Sequence, residues 1–187
     1  MKKVSLLGDS IRLFGYGPLV PALLGEDVTV FQPQENCRFA KYTLRGMCEW
    51  RSELVNSDVI HFNCGIWDAG DVVGDGELFS SDEEYTETIL RIARRLLQFT
   101  PKVIFATTTP VHPAYQSVDN RDVDRFNALV VPKLRALGVK INDLHSLVAA
   151  DVEGNICEDH LHLSPLGAKR CAEQVARMIS ESLREGE

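Results

Sequence analysis
The chain has 187 residues, 44% hydrophobic and 25% charged, which fits one globular domain with a sizeable core. A formal net charge of -7 argues against a general nucleic-acid binder, which would carry a basic face. The apolar run behind Met1-Lys2-Lys3 ends at Gly8, too short for a signal peptide, and no stretch approaches the roughly 20 apolar residues of a membrane span.

In chain order, Val4–Leu7 reads as a short buried strand that ends at Gly8-Asp9-Ser10. Val28–Phe31 is a second strand, followed by Glu35-Asn36-Cys37-Arg38-Phe39. Lys41–Val55 has helical spacing, with Leu44, Met47 and Cys48 on one side. Asp58–Cys64 is a third strand. After it come Gly65-Ile66-Trp67-Asp68 and a stretch rich in Gly and Asp, Ala69–Ser80. Asp82–Phe99 predicts a long helix, opened by Ser80-Ser81-Asp82-Glu83 and closed before Thr100-Pro101. Its Arg91, Arg94 and Arg95 read as a solvated face. Lys102–Thr107 is a fourth strand, leading into a loop over Pro110–Asn120. Asn120–Leu137 is helical up to the stop at Gly138, and Val139–Asn142 is a fifth strand. Ser164–Leu183 closes the chain as a helix with Ser164 as cap and Pro165 in its first position.

Short apolar strands alternating with helices imply a parallel sheet covered on both faces, hence a single doubly wound α/β domain. In such sheets the ligand lies beyond the carboxyl ends of the strands. Gly8-Asp9-Ser10, Asn63–Asp68, Thr107–Pro113 and the Asp159–His162 loop all fall there. Five cysteines, Cys37, Cys48, Cys64, Cys157 and Cys171, lack paired Cys-x-x-Cys spacing. They read as reduced thiols, so a cytoplasmic location is expected.

Ser10, Asp159 and His162 supply a hydroxyl, a carboxylate and an imidazole in that order. A serine hydroxyl is a poor nucleophile at neutral pH. It needs a base to take its proton, and the base needs a carboxylate to fix its tautomer. Gly-Asp-Ser alone is a common turn, and Asp-x-x-His alone is weaker still. Their combination at opposite ends of a five-strand pattern carries the inference.

With these residues in view, the sequence resembles the SGNH hydrolases, also called the GDSL esterase family. The resemblance follows the strand-helix order along nearly the whole chain and is sharpest at Gly8-Asp9-Ser10 and Asp159-x-x-His162. It implies a flavodoxin-like three-layer α/β/α sandwich with a five-stranded parallel sheet. It also implies ester hydrolysis without metal or other cofactor, with Ser10 as nucleophile, His162 as base and Asp159 as its orienting carboxylate. Three residues apart, Asp159 and His162 are expected to meet on one face of a helical turn.

Two departures from the family concern the oxyanion hole. The family places a glycine after the second strand and Gly-x-Asn-Asp after the third. Here the first segment has no glycine, so the backbone N–H of Cys37 or Arg38 is the expected donor beside that of Ser10. The second reads Gly65-Ile66-Trp67-Asp68, with tryptophan where asparagine belongs. Asn63 and Asn36 are candidate replacements, and Asn63 is favoured. A lost donor costs about 2.7–4 kcal/mol of transition-state stabilisation, so a replacement is expected in a fast enzyme.

Asp9, Arg12, Asn36, Trp67, Asp68 and His112 are candidate substrate contacts. Their polar and aromatic character, without a long apolar lid, points to a small polar ester as the partner. An O-acetylated carbohydrate fits better than a long acyl chain, and neither nucleic acid nor membrane is expected to bind. Two other readings stay open. One is a binding protein that keeps the fold with an impaired oxyanion hole. The other is a metal hydrolase using Cys157, Asp159, His160 and His162, which leaves Ser10 unexplained.

Overall fold
The five apolar runs become five parallel strands in a computed structural model that describes residues 1–185. These are β1 (Lys2–Leu7), β2 (Val28–Phe31), β3 (Val59–Asn63), β4 (Val103–Ala106) and β5 (Lys140–Asn142). They form one sheet in the order β2-β1-β3-β4-β5. In register, Val4 lies between Val30 of β2 and Val59 of β3. Strand side chains alternate between faces, so a sheet covered on both sides needs apolar residues at nearly every position. All five residues of β3 and all four of β4 are accordingly buried.

One face packs Leu7, Ile60, Phe62 and Phe105 against two helices, α4 (Asp82–Leu97) and α5 (Asn120–Ala136). The other packs Val4, Leu6, Val59 and Ile104 against α8 (Pro165–Arg184), through Cys171, Val175 and Ile179. The result is the expected three-layer α/β/α sandwich. Local signals set the helix ends. Ser81 caps α4, its hydroxyl accepting from the Glu84 amide while the Glu84 carboxylate accepts from the Ser81 amide. Ser164 caps α8 with Pro165 behind it.

Three differences from the sequence reading stand out. The helix expected over Lys41–Val55 is two short ones, α2 (Ala40–Gly46) and α3 (Arg51–Leu54). The chain turns between them because the Trp50 ring lies on Gly46, where a Cβ would sit 2.2 Å from the indole. After Ser10 the chain enters a π-helical stretch, Ile11–Tyr16, then a 3-10 turn and α1 (Val20–Leu24), none of which the pattern announced. Two short helices, α6 (Leu144–Ala149) and α7 (Val152–Asn155), follow β5. Their signal is in the caps Asp143 and Asp151, whose carboxylates accept from the Ser146 and Gly154 amides. Among the described residues no helix is long and apolar enough to cross a membrane.

The turn after β3 is a tight point near the sheet's carboxyl edge. Gly65 has φ +148, and a Cβ there would lie 2.3 Å from Thr108 Oγ1 and 2.7 Å from the Tyr85 hydroxyl. Both hydroxyls donate to the Cys64 carbonyl, at 3.1 and 2.8 Å. Gly65→Ala should therefore push them off that carbonyl and cost about 1–3 kcal/mol, the usual range for overpacking. Thermal melts followed by circular dichroism should show a lowered Tm. An unchanged Tm would contradict the close approach.

Candidate active site
Ser10 leaves β1 as the residue that opens the π-helical stretch, so its amide lies where helical amides lack acceptors of their own. The turn is pinned from below. Asp9 Oδ1 accepts from the Ile11 amide and from Asn63 Nδ2, both at 2.9 Å, and Asn63 Oδ1 accepts from the Tyr16 hydroxyl at 2.6 Å. Burial pushes the Asp9 carboxyl above its ordinary range, against the bonds from Asn63 and Ile11. Asn63 is thus held inside the protein through its oxygen and its Nδ2, between Asp9 and Tyr16. It does not line the cavity described below, which corrects its expected place in the oxyanion hole.

Arg12, expected at the substrate, is 1% exposed. Its guanidinium donates to the carbonyls of Pro33 (2.9 Å), Gly8 (3.1 Å) and Glu35 (2.7 Å). It ties the Ser10 turn to the loop after β2. In that loop the Cys37 amide donates to Gly8 O at 3.1 Å, and the Arg38 amide donates to Asn36 Oδ1 at 2.7 Å. Neither of the two backbone N–H groups expected in the oxyanion hole is free. The Asn36 carboxamide, held through its oxygen, keeps its Nδ2 for another acceptor. Arg38 itself sits at φ +49, a conformation that this Asx turn supports.

At the other end of the chain Asp159 and His162 meet in a turn rather than a helix. The segment is closed by a bridge between Ile156 and Leu163, with His160 at φ +68. Asp159 Oδ1 accepts from the Leu161 and His162 amides, both at 2.9 Å, and Oδ2 lies 2.6 Å from His162 Nδ1. The Cys157 thiol donates to Oδ1 at 3.2 Å. Burial works against the Asp159 charge, but the Leu161 amide and the bonds from His162 outweigh it and hold the carboxyl well below its ordinary range. A carboxylate so held accepts a hydrogen bond from Nδ1–H and leaves His162 Nε2 as an acceptor.

Ser10 and His162 face one cavity of about 360 Å³, walled by Phe14, Asn36, Ile66, Trp67, Tyr115 and Leu161. The Phe14 ring meets His162 edge-on at 6.2 Å. The structure therefore gathers Ser10, Asn36, Trp67 and His162, with Asp159 behind the imidazole. Phe14 and Tyr115 escaped the sequence reading. Phe14 is one helical turn after Ser10, and that spacing was the available signal.

Two more candidates fall outside the cavity. His112 stacks on His160 (4.5 Å between centroids, 26° between planes), and its amide donates to the His160 carbonyl at 2.9 Å. Its Nδ1 accepts from the Ala114 amide and its Nε2 faces Glu153 at 2.9 Å, so it braces the His162 loop. Asp68 is 1% exposed and accepts from the Ala40 amide (3.0 Å) and the Ser80 hydroxyl (2.7 Å). It fastens the start of α2 to the approach to α4. Among the described residues no group of three or more His, Cys, Asp or Glu is placed to hold a metal ion, and His160 and His162 engage different partners.

No protein-family model and no curated protein sequence matches the chain. Solved structures do. A lipase/acylhydrolase from Enterococcus faecalis gives a TM-score of 0.82 at 18% identity, covering 100% of both chains. An acetylxylan esterase from Geobacillus stearothermophilus gives 0.73 at 15% identity, covering 98% of this chain and 94% of its own. A further acetyl xylan esterase gives 0.74 at 17% identity, covering 96% and 98%. At such identities the common property is the fold, and this chain has the α/β/α fold of those hydrolases over essentially its whole length.

Asp68 gives the site region a pH signature. Burial pushes its pKa from 3.8 up to about 6, against the bonds from Ser80 and Ala40. A raised carboxyl stabilises the fold while neutral. That contribution is complete below 3.8 and is lost as pH rises through about 6. Asp68→Asn cannot ionise. Urea midpoints at pH 4 and pH 7 should show the wild type losing stability relative to the variant as pH rises. A constant gap between the two would contradict the burial effect.

Proposed function
We propose that this protein is a serine esterase of the SGNH type acting on a small carboxylic ester. The observation that carries the reading is the shared cavity of Ser10 and His162, with Asp159 bonded to the far ring nitrogen. Ser10 Oγ attacks the ester carbonyl carbon as His162 Nε2 takes its proton. Asp159 stabilises the imidazolium that forms. The tetrahedral oxyanion takes hydrogen bonds from the Ser10 amide and from Asn36 Nδ2. His162 then protonates the leaving alcohol, and water, deprotonated by the same imidazole, releases the acid. No bond joins Ser10 Oγ to His162 in the free protein, a common state of such sites before substrate enters. The aromatic walls from Phe14, Trp67 and Tyr115, with Asp71 and Ser117 nearby, suit the C–H faces and hydroxyls of a sugar. An O-acetylated carbohydrate is the substrate class that we favour. The acetylxylan esterases of the same fold support that choice. The five free thiols fit a reducing, cytoplasmic setting.

One observation favours a second reading, a binding protein with the same pocket. The Cys37 and Arg38 amides are both spent, which leaves a hole of two donors. Hydrolysis of p-nitrophenyl acetate, with and without EDTA, separates the readings. We expect turnover insensitive to EDTA and abolished in Ser10→Ala and His162→Ala. Asn36→Ala should lower kcat about 10²–10³-fold with little change in KM, because the oxyanion exists only in the transition state. Asn63→Ala should instead lower Tm. Full activity in Ser10→Ala would end the serine mechanism. Turnover lost to EDTA and restored by Zn²⁺ would replace it with metal chemistry. Binding of an acetylated sugar without turnover would establish the second reading.

A further inference from the structure
A second concavity lies away from the proposed active site. A groove of about 620 Å³ runs between α2 and α3 on one side and α4 on the other, and it shares no lining residue with the Ser10 cavity. Lys41, Arg45, Arg51, Arg91, Arg94 and Arg95 line it, six of the chain's 20 Lys and Arg, and no Asp or Glu does. Two of the six are neutralised at the rim: Lys41 pairs with Glu84 at 2.6 Å, and Arg45 pairs with Glu49. Among the described residues no ion pair reaches the other four. The Arg51 and Arg95 guanidiniums both rest on the Phe99 ring, at 5.9 and 4.8 Å, which keeps two like charges close together. Arg91 also stands three and four residues from Arg94 and Arg95, a spacing at which like charges destabilise a helix. A chain of net charge -7 has carboxylates to spare, yet none enters this groove.

We propose that the groove binds an organic phosphate of nucleoside diphosphate size. Five of the six cations are arginines, whose planar forks match phosphoryl oxygens in pairs. A bound diphosphate would turn the repulsion among Arg51, Arg91, Arg94 and Arg95 into attraction. Leu44 and the buried Met47 give the same groove an apolar floor for an organic body. Its volume is that of an ordinary small-molecule site, and its concavity distinguishes it from a basic stripe that tracks a polymer. Sequence alone reads Arg91, Arg94 and Arg95 as a solvated face. The folded chain sets them opposite Lys41, Arg45 and Arg51.

Cys48 lies in the groove with an exposed thiol and serves as a local reporter. Inorganic pyrophosphate and ADP would be titrated calorimetrically at low and high salt. The alkylation of Cys48 by iodoacetamide would be followed in parallel by peptide mass spectrometry, with Cys157 as the internal control. We expect ADP to bind, more weakly at high salt, and to slow alkylation at Cys48 but not at Cys157. Pyrophosphate should compete with it. Arg91→Glu/Arg94→Glu should weaken ADP at least about tenfold while keeping its Tm and its ester turnover, since each charge-assisted bond is worth about that factor. No binding of either compound, binding unaffected by the double variant, or binding without protection of Cys48 would overturn the proposal. So would binding of poly(U) or phosphatidylserine vesicles by a protein that ignores both small phosphates.

Discussion

A buried guanidinium holds the carboxyl edge of this sheet together. Arg12 is out of water, and a buried cation is costly unless its surroundings replace the lost hydration. Three carbonyls take its terminal N–H groups while Nε is left without a partner among the described residues, and they come from two loops: Gly8 from the turn after β1, Pro33 and Glu35 from the loop after β2. The geometry of Ser10 relative to Asn36 follows from that fork. A lysine could not serve, because one ammonium on a flexible stem cannot span the same fixed set of acceptors. The Cys37 amide bond to Gly8 O runs parallel to it and locks the same two loops.

The remaining loops are fastened by the same logic, each with a different side chain. Asn63 links β3 to the Ser10 turn through Asp9. Asp68 links the turn after β3 to α2 and to Ser80. His112 links the loop after β4 to the loop of His162. Buried backbone amides and carbonyls at strand ends have lost water and need partners, so polar side chains there are recruited to structure first. The cavity is what remains between loops that are tied at their bases, and its walls are largely apolar.

That division explains what the sequence could tell. The strands were legible because a doubly covered parallel sheet writes itself as short apolar runs, and the long helices because Ser81, Ser164 and Pro165 punctuate them. The pairing of Asp159 with His162 was legible because they are neighbours in the chain, although the turn that joins them is not helical. The donors proposed for an oxyanion hole were not. Whether the Cys37 or Arg38 amide is free depends on Gly8 O and Asn36 Oδ1, partners set by loop closure. Asp9, Arg12, Asp68 and His112, expected at a substrate, lie off the cavity on protein partners for a related reason: a polar residue near a strand end looks the same in sequence whether it faces a ligand or the protein. Asn63 stood nearer the expected position than Asn36, but β3 carries it beneath Ser10 rather than beside it.

The two halves of the proposed catalytic constellation differ in how they are assembled. Asp159 and His162 are brought together over three residues, with Leu161 and His162 amides closing the turn on the same carboxylate. Closing so short a loop costs little entropy. Ser10 comes to the same cavity from some 150 positions away and depends on β1 being held between β2 and β3. Loosening of the sheet would therefore carry the hydroxyl away while the imidazole kept its carboxylate. The histidine environment would look native in a chain that had already lost the alignment of Ser10, the proposed nucleophile.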